Sequence, residues 1–282
     1  MYYPYFRGKQ FDLIALRELS ENGLLSRKIH PIIEPVKDSS ALRKTVLQFE
    51  KAQQSFTLIE NPQAGEFLTE DGYLRLHAMT TKRGQILTQP LEPSAEQSGL
   101  LILQQAKPAL ECDWSQNEKP VLLPLEFRLL QKVQGELILS EDVFTRLPRN
   151  RFYQELPDEL FTNRHLNYQR SGFQGFSDFS LDSRIYYEKS FPSAEICIHL
   201  VYFEGDELRI HHFLSPEELP TQKDKFLAVM EEIANWQPLQ KTHGLNLLMT
   251  AAANGKFPGM GIIRKASVMH HLELMGDFLD SR

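Results

Sequence analysis

Short apolar runs ending on an acid or amide beside a proline, amphipathic stretches between them, and a length of 282 residues together predict an α/β fold. The expected architecture is a (β/α)8, TIM-barrel-like one, regular or distorted, carrying a C-terminal β-hairpin and helices. The runs are Pro31-Ile32-Ile33-Glu34-Pro35, Leu58-Ile59-Glu60-Asn61-Pro62 and Ile86-Leu87-Thr88-Gln89-Pro90. Ala109-Leu110-Glu111-Cys112-Asp113 and Val121-Leu122-Leu123-Pro124-Leu125-Glu126 follow. Parallel α/β folds place their sites where strands end, so the rhythm locates a site before it says what happens there.

Tyr2 to Phe6 reads as the first strand, and Phe11 to Leu19 as a helix with Leu13, Ile14, Leu16 and Leu19 at helical spacing. Asn22-Gly23 is suited to stop that helix. Ile29 to Val36 is the second strand. Ser39-Ser40 caps a helix to about Gln54, whose apolar side is Leu42, Val46, Leu47 and Phe49. Phe56 to Glu60 is the third strand. Beyond it the reading is a helix over 72–82, a strand over 85–89, a helix over 94–105, and strands at 109–111, 121–125 and 135–139. Residues 141–170 show no clear period and read as a long loop with one short helix. Phe173 to Leu181 would close a sheet.

The clearest hairpin is Ala194 to Phe203 with Glu207 to Leu214, turning at Glu204-Gly205-Asp206. Helices are expected over 223–236, 243–253 and 263–275. No low-complexity linker divides the chain. The expectation is one barrel-like domain, 1–282, of which 182–282 is the hairpin-and-helix elaboration.

Thirty-one basic against 37 acidic residues give a formal net charge of −6, which excludes a broadly basic nucleic-acid coat but not a local basic groove. Two cysteines, Cys112 and Cys197, are too few for a disulfide framework or a structural zinc site of their own. No signal peptide and no apolar run of the roughly 20 residues a membrane helix requires are seen, so a cytoplasmic protein with no membrane partner is expected.

The first candidate constellation is acidic: Glu34, Glu60, Glu111 or Asp113, Glu126 and Asp178. On one barrel rim, Glu34, Glu60 and Asp178 could act as catalytic carboxylates or hold a divalent cation such as Mg²⁺, a hard ion that takes oxygen ligands. The plainer reading is that acids and prolines mark strand ends and cap the helices that follow. The second constellation is Arg7-Gly8-Lys9-Gln10, directly after the first strand. Arg7 and Lys9, with Glu126, could bind a phosphate-bearing ligand on that rim, against the alternative of a solvated loop. The glycines at 255, 259 and 261 lack a P-loop ending and read as a helix stop and turn. His211 and His212 neighbour each other on a strand and so face opposite sides; His270 and His271 are badly spaced for a shared metal; His199 reads as a buried, hydrogen-bonded histidine. No nucleophile signature surrounds either cysteine, and no Gly-x-Ser-x-Gly elbow occurs.

Several of these segments resemble a known family. They are Tyr2 to Phe11, His30-Pro31-Ile32-Ile33-Glu34-Pro35, Ile59-Glu60-Asn61-Pro62, Gly175-Phe176-Ser177-Asp178-Phe179 and Ile198-His199-Leu200. Leu208 to Phe213, Phe257-Pro258-Gly259-Met260-Gly261 and Ser267 to Leu274 belong with them. Together they resemble a prokaryotic family similar to the Beta protein family, associated with phages and mobile elements; residues from about 66 to 170 match poorly. The resemblance implies a (β/α) barrel and a nuclease-like partner protein encoded nearby, as in a two-component defence-type or mobile-element system. It carries no catalytic residues over. Three functions are therefore expected to compete: such a system component binding phosphate or nucleic acid at its rim, a metal-dependent phosphodiester hydrolase, and a non-catalytic scaffold.

Overall fold

The computed structural model describes residues 1–90, 99–185 and 194–282. It resolves into two compact units, one of Met1–Leu13, Arg27–Asp142 and Arg164–Phe179, the other of Ile14–Ser26, Val143–Asn163 and Ser180–Arg282. Strand β1 (Tyr5–Phe6) belongs to the first, and helix α1 (Gln10–Glu21) has its first residues in the first unit and the rest in the second.

The first unit continues with β2 (Ile32–Ile33), α2 (Ser40–Lys51), β3 (Thr57–Ile59), α3 (Glu70–His77), β4 (Arg83–Ile86) and β5 (Leu100–Ile102). Then come α4 (Ala106–Glu111), β6 (Val121–Pro124), α5 (Phe127–Lys132) and β7 (Leu137–Ser140). Strand β8 (Asp158–Thr162) lies in the second unit, after which α6 (Arg164–Asn167) and β9 (Gly175–Ser177) complete the first. The eight strands run parallel in the order β1-β2-β3-β4-β5-β6-β7-β9. A parallel bridge from Tyr2 to Phe176 and the bonds Tyr3 N to Phe176 O and Tyr5 N to Asp178 O, both 2.8 Å, join the last strand to the first. Followed once around, the partner register returns to β1 displaced by eight residues. Eight strands with a stagger of eight define a (β/α)8 barrel.

Local chemistry explains the elements. Ser39 accepts the Leu42 amide at 3.2 Å and starts α2, which buries Ala41, Leu42, Thr45, Val46 and Phe49. Thr69 caps α3 the same way, with Glu70 and Asp71 in its first turn complementing the helix dipole. Inside the barrel Tyr5, Ile32, Ile59, Ile86, Leu100, Ile102, Leu122 and Ile138 form the core.

Three sequence expectations are corrected here. Ala109-Leu110-Glu111 is the end of helix α4, not a strand; Pro108 lies in that helix's first turn, where a missing N–H costs nothing. The helix expected over 94–105 gives way to strand β5 at Leu100–Ile102, and its residues up to 98 lie outside the described residues. The expected long loop over 141–170 contains β8, whose period was hidden by its polar residues.

The second unit is built on an antiparallel sheet, β10 (Cys197–Glu204), β11 (Glu207–Leu214) and β8 in that order, with α7 (Gln222–Asn235), α8 (His243–Ala253) and α9 (Met260–Asp280). Ile196, Ile198 and Leu200 alternate onto the face that buries Phe226, Val229, Met230, Leu245 and Leu248. Gly255 and Gly259, both at positive φ, end α8 and begin α9, as a helix stop should. Among the described residues no helix is long and apolar enough to cross a membrane.

Helices α8 and α9 touch through backbone. A Cβ on Gly244 would lie 2.4 Å from the Ala266 carbonyl oxygen and 2.5 Å from the His270 nitrogen. Helix propensity alone would favour Gly244→Ala by about 1 kcal/mol. The clash reverses that sign, and chemical denaturation of the variant should show a net loss of about 1–3 kcal/mol.

The same packing holds two adjacent histidines neutral. His270 Nδ1 accepts the Thr242 hydroxyl at 2.7 Å while Nε2 donates to the Val201 carbonyl at 2.8 Å, and His271 Nδ1 shares a hydrogen bond with the Ser180 hydroxyl at 3.0 Å. Burial pulls His270 down to about 4 and His271 to about 3. Lowered folded-state values mean the unfolded chain binds more protons once the pH drops below the ordinary histidine value of about 6.5. Stability should therefore fall from there down through pH ~4, by up to about 1.4 kcal/mol per pH unit per histidine. Denaturant titrations across that range should show the slope, and His270→Asn should flatten it.

Candidate functional site

Side chains on a strand alternate, and that parity decides which residues enter the barrel. Tyr5, Ile59 and Ile102 point inward on β1, β3 and β5, so Arg7 and Gln104 come two residues later on the same side, at the C-terminal mouth. On the strand between, Ile32 points inward and so does Glu34.

These residues form one network. Glu34 is fully buried. Its Oε2 accepts from the Tyr5 hydroxyl at 2.7 Å and from Arg7 Nη1 at 2.6 Å, and its Oε1 accepts the Gln63 amide at 2.9 Å. The Gln104 amide reaches across the barrel and donates to the Tyr5 hydroxyl at 3.4 Å. The Arg7 guanidinium lies over the rings of Tyr5 and Phe179, 5.6 and 5.9 Å from their centroids. Burial first, then the Glu34 charge and hydrogen bond, raise the Tyr5 pKa well above the phenol's ordinary value, so Tyr5 remains a donor. Gly8, at φ +62, allows the chain after Arg7 to pass against the backbone of Glu34 and Pro35.

The remaining sequence candidates have other surroundings. Glu60 falls one residue out of phase, outside the barrel, with His77 Nε2 at 3.5 Å and Arg83 Nε at 3.8 Å. Asp178 is out of phase in the same way: its Oδ1 accepts the hydroxyl of Tyr2, whose ring stacks on Phe176. Glu126 pairs with Arg128 at 2.9 Å on the surface. Lys9 is partly exposed just before α1, and its carbonyl accepts the Leu13 amide. Glu111 ends α4, and Asp113 accepts the Ser115 amide in a turn. Of the acids and cations chosen from sequence, the structure joins Arg7 to Glu34 and gives Glu60 and Asp178 separate partners. Among the described residues no three His, Cys, Asp or Glu side chains are grouped to hold a metal ion.

Sequence reasoning missed Tyr5, Gln104 and the Gln63 amide. Tyr5 and Arg7 could have been linked by their spacing of two on a strand; no local signal connects Gln104 to a residue ninety-nine positions away.

Fold and site together define a (β/α)8-barrel protein with a buried polar network at its C-terminal mouth. No family model matches the chain, no curated protein matches it and no solved structure matches it.

A buried ion pair is vulnerable to loss of one partner. Arg7→Met should destabilise the barrel by about 3–5 kcal/mol, because it leaves Glu34 charged and buried. Adding Glu34→Leu should recover only part of that loss, since the Tyr5 hydroxyl and the Gln63 backbone amide then lose their acceptor, a double-mutant cycle readable by urea denaturation.

Proposed function

We propose that the C-terminal mouth of the barrel binds a phosphate-bearing ligand, such as a nucleic-acid end, with Arg7 as the fixed donor and Lys9 as the accessible charge. The observation that carries this reading is the buried Arg7–Glu34–Tyr5 network at the end of the barrel where such folds place their sites. Stability alone does not require it, since buried ion pairs are commonly matched or bettered by apolar residues of similar volume. Held by Glu34 and flanked by two rings, the guanidinium keeps one orientation, which spares a ligand the cost of ordering it. Lys9, partly exposed two residues on, adds an ammonium that is a natural phosphate partner.

The resemblance to the Beta protein family supports a wider role, in which this protein works with a nuclease-like partner encoded nearby in a defence-type or mobile-element system. The hydrolase alternative would draw Glu34, Glu60 and Asp178 to one Mg²⁺, and their separate partners favour the binding reading over it.

The test uses a short single-stranded oligonucleotide with and without a 5′-phosphate. Removing the phosphate, or substituting Lys9→Ala, should each weaken binding about tenfold, or by about 1.4 kcal/mol. Equal binding of both oligonucleotides by the parent protein would overturn the proposal.

A further inference from the structure

We propose that the His199 face of the second unit's sheet is a site for a protonated phosphate group, a phosphomonoester monoanion or inorganic phosphate. Arg146 and Arg264 supply the charge, and His199 Nε2 accepts a hydrogen bond from the phosphate's own hydroxyl.

Pairing of β10 with β11 sets His199 directly opposite His212, on the sheet face away from Ile198 and Leu200. The two Nδ1 atoms are 2.7 Å apart, and His212 Nε2 lies 3.4 Å from Glu159 Oε1. The other Glu159 oxygen accepts the Thr145 hydroxyl at 2.8 Å. A neutral imidazole has one donor and one acceptor nitrogen. Glu159 can only accept, so with both rings neutral His212 carries its proton on Nε2 and its Nδ1 accepts. His199 must then donate from Nδ1, which leaves Nε2 as a bare acceptor. Among the described residues that atom has no hydrogen-bond partner.

The surroundings keep His199 in that form. Tyr153 packs on both rings at 4.8 and 4.4 Å, and its hydroxyl donates to the Thr145 carbonyl. Cys197 Sγ is 3.8 Å from His199 Nδ1, and burial pushes its thiol up, so it brings no charge. Two guanidinium groups converge on Asp182, Arg146 at 3.1 Å and Arg264 at 3.9 Å. Burial, then His212, then the Arg264 charge hold the His199 pKa well below the ordinary histidine value. Two guanidinium groups sharing one carboxylate leave a single positive charge over, and that charge beside a neutral acceptor is an unusual demand on a ligand. It requires an anion that still owns a proton. Phosphate near its second ionisation, at pH ~6, meets that demand. Sulfate, fully ionised at the same pH, would bring lone pairs against the lone pair of Nε2.

Calorimetric titration of the full chain with inorganic phosphate and with sulfate, at pH ~6.5 and ~8, tests this directly. Phosphate should bind at least about tenfold more tightly than sulfate at both pH values, because hydrogen phosphate still keeps one P–OH, whereas phenyl phosphate, which loses its only proton between them, should lose that advantage at the higher pH. His199→Asn should bring the two anions to similar affinity, while Arg264→Gln should weaken both. Lys9→Ala should change neither, which separates this site from the barrel mouth. Phenyl phosphate distinguishes a phosphomonoester ligand from free phosphate by which of the two binds more tightly. Equal affinity for phosphate and sulfate in the parent protein, or a nitrogen NMR shift showing His199 Nε2 protonated at neutral pH, would overturn the proposal.

Discussion

Closing eight parallel strands with a stagger of eight residues fixes, for every strand of the first unit, which side chains see the interior. A slip of one residue on any strand would exchange its inside for its outside. The strands are short, two residues in β1 and β2, so the parity is set by very few ladder bonds and by the closing contacts of Tyr2, Tyr3 and Tyr5. Everything at the mouth follows from this. Arg7 and Glu34 meet because each is two residues beyond an inward aromatic or aliphatic side chain, Tyr5 and Ile32. Glu60 and Asp178, equally acidic and equally close to strand ends, miss the interior by one position.

The two units handle buried polarity differently. In the barrel the charge is kept and compensated: Glu34 takes three donors, and Arg7 lies against rings whose faces favour a cation. In the second unit the two adjacent histidines of α9 are kept neutral. His270 and His271 are hydrogen-bonded to hydroxyls rather than to charges, and their low pKa values record the cost of protonating them there. The first solution ties stability to one specific partner; the second ties it to pH.

The sequence carried the barrel and much of its helix order in its rhythm, because apolar runs and N-caps such as Ser39 are local signals. It carried the terminal helices and the hairpin for the same reason, with Glu204-Gly205-Asp206 marking the turn. What it could not show depends on long-range pairing. Strand β8, with Asp158 and Glu159 among its five residues, has no apolar alternation to reveal it; it exists because β11 supplies its ladder. The pairing of Arg7 with Glu34 was half legible, since both lay at strand ends, but strand ends alone do not tell inward acids from outward ones. His211 and His212 were legible as opposites: the first bonds Asp158 at 3.0 Å and the second faces His199.

Strand β10 stands at one edge of the second unit's sheet, and an open edge invites another chain. Its backbone is instead met by side chains. Gln240 accepts from the Phe203 amide and donates to the Phe203 carbonyl, both at 3.2 Å, imitating a neighbouring strand. His270 donates to the Val201 carbonyl, and just ahead of the strand Lys225 donates to that of Ala194 at 2.9 Å. The neutral state of His270 thus serves two ends, since the nitrogen that caps the edge is paired through the ring to the one that accepts from Thr242. The opposite face is closed as well where Val201, Leu208 and Ile210 are buried and Phe203 stacks on Phe278 of α9, and its polar pair, His199 and His212, lies toward the other end of the strands. There the bare nitrogen of His199 sits.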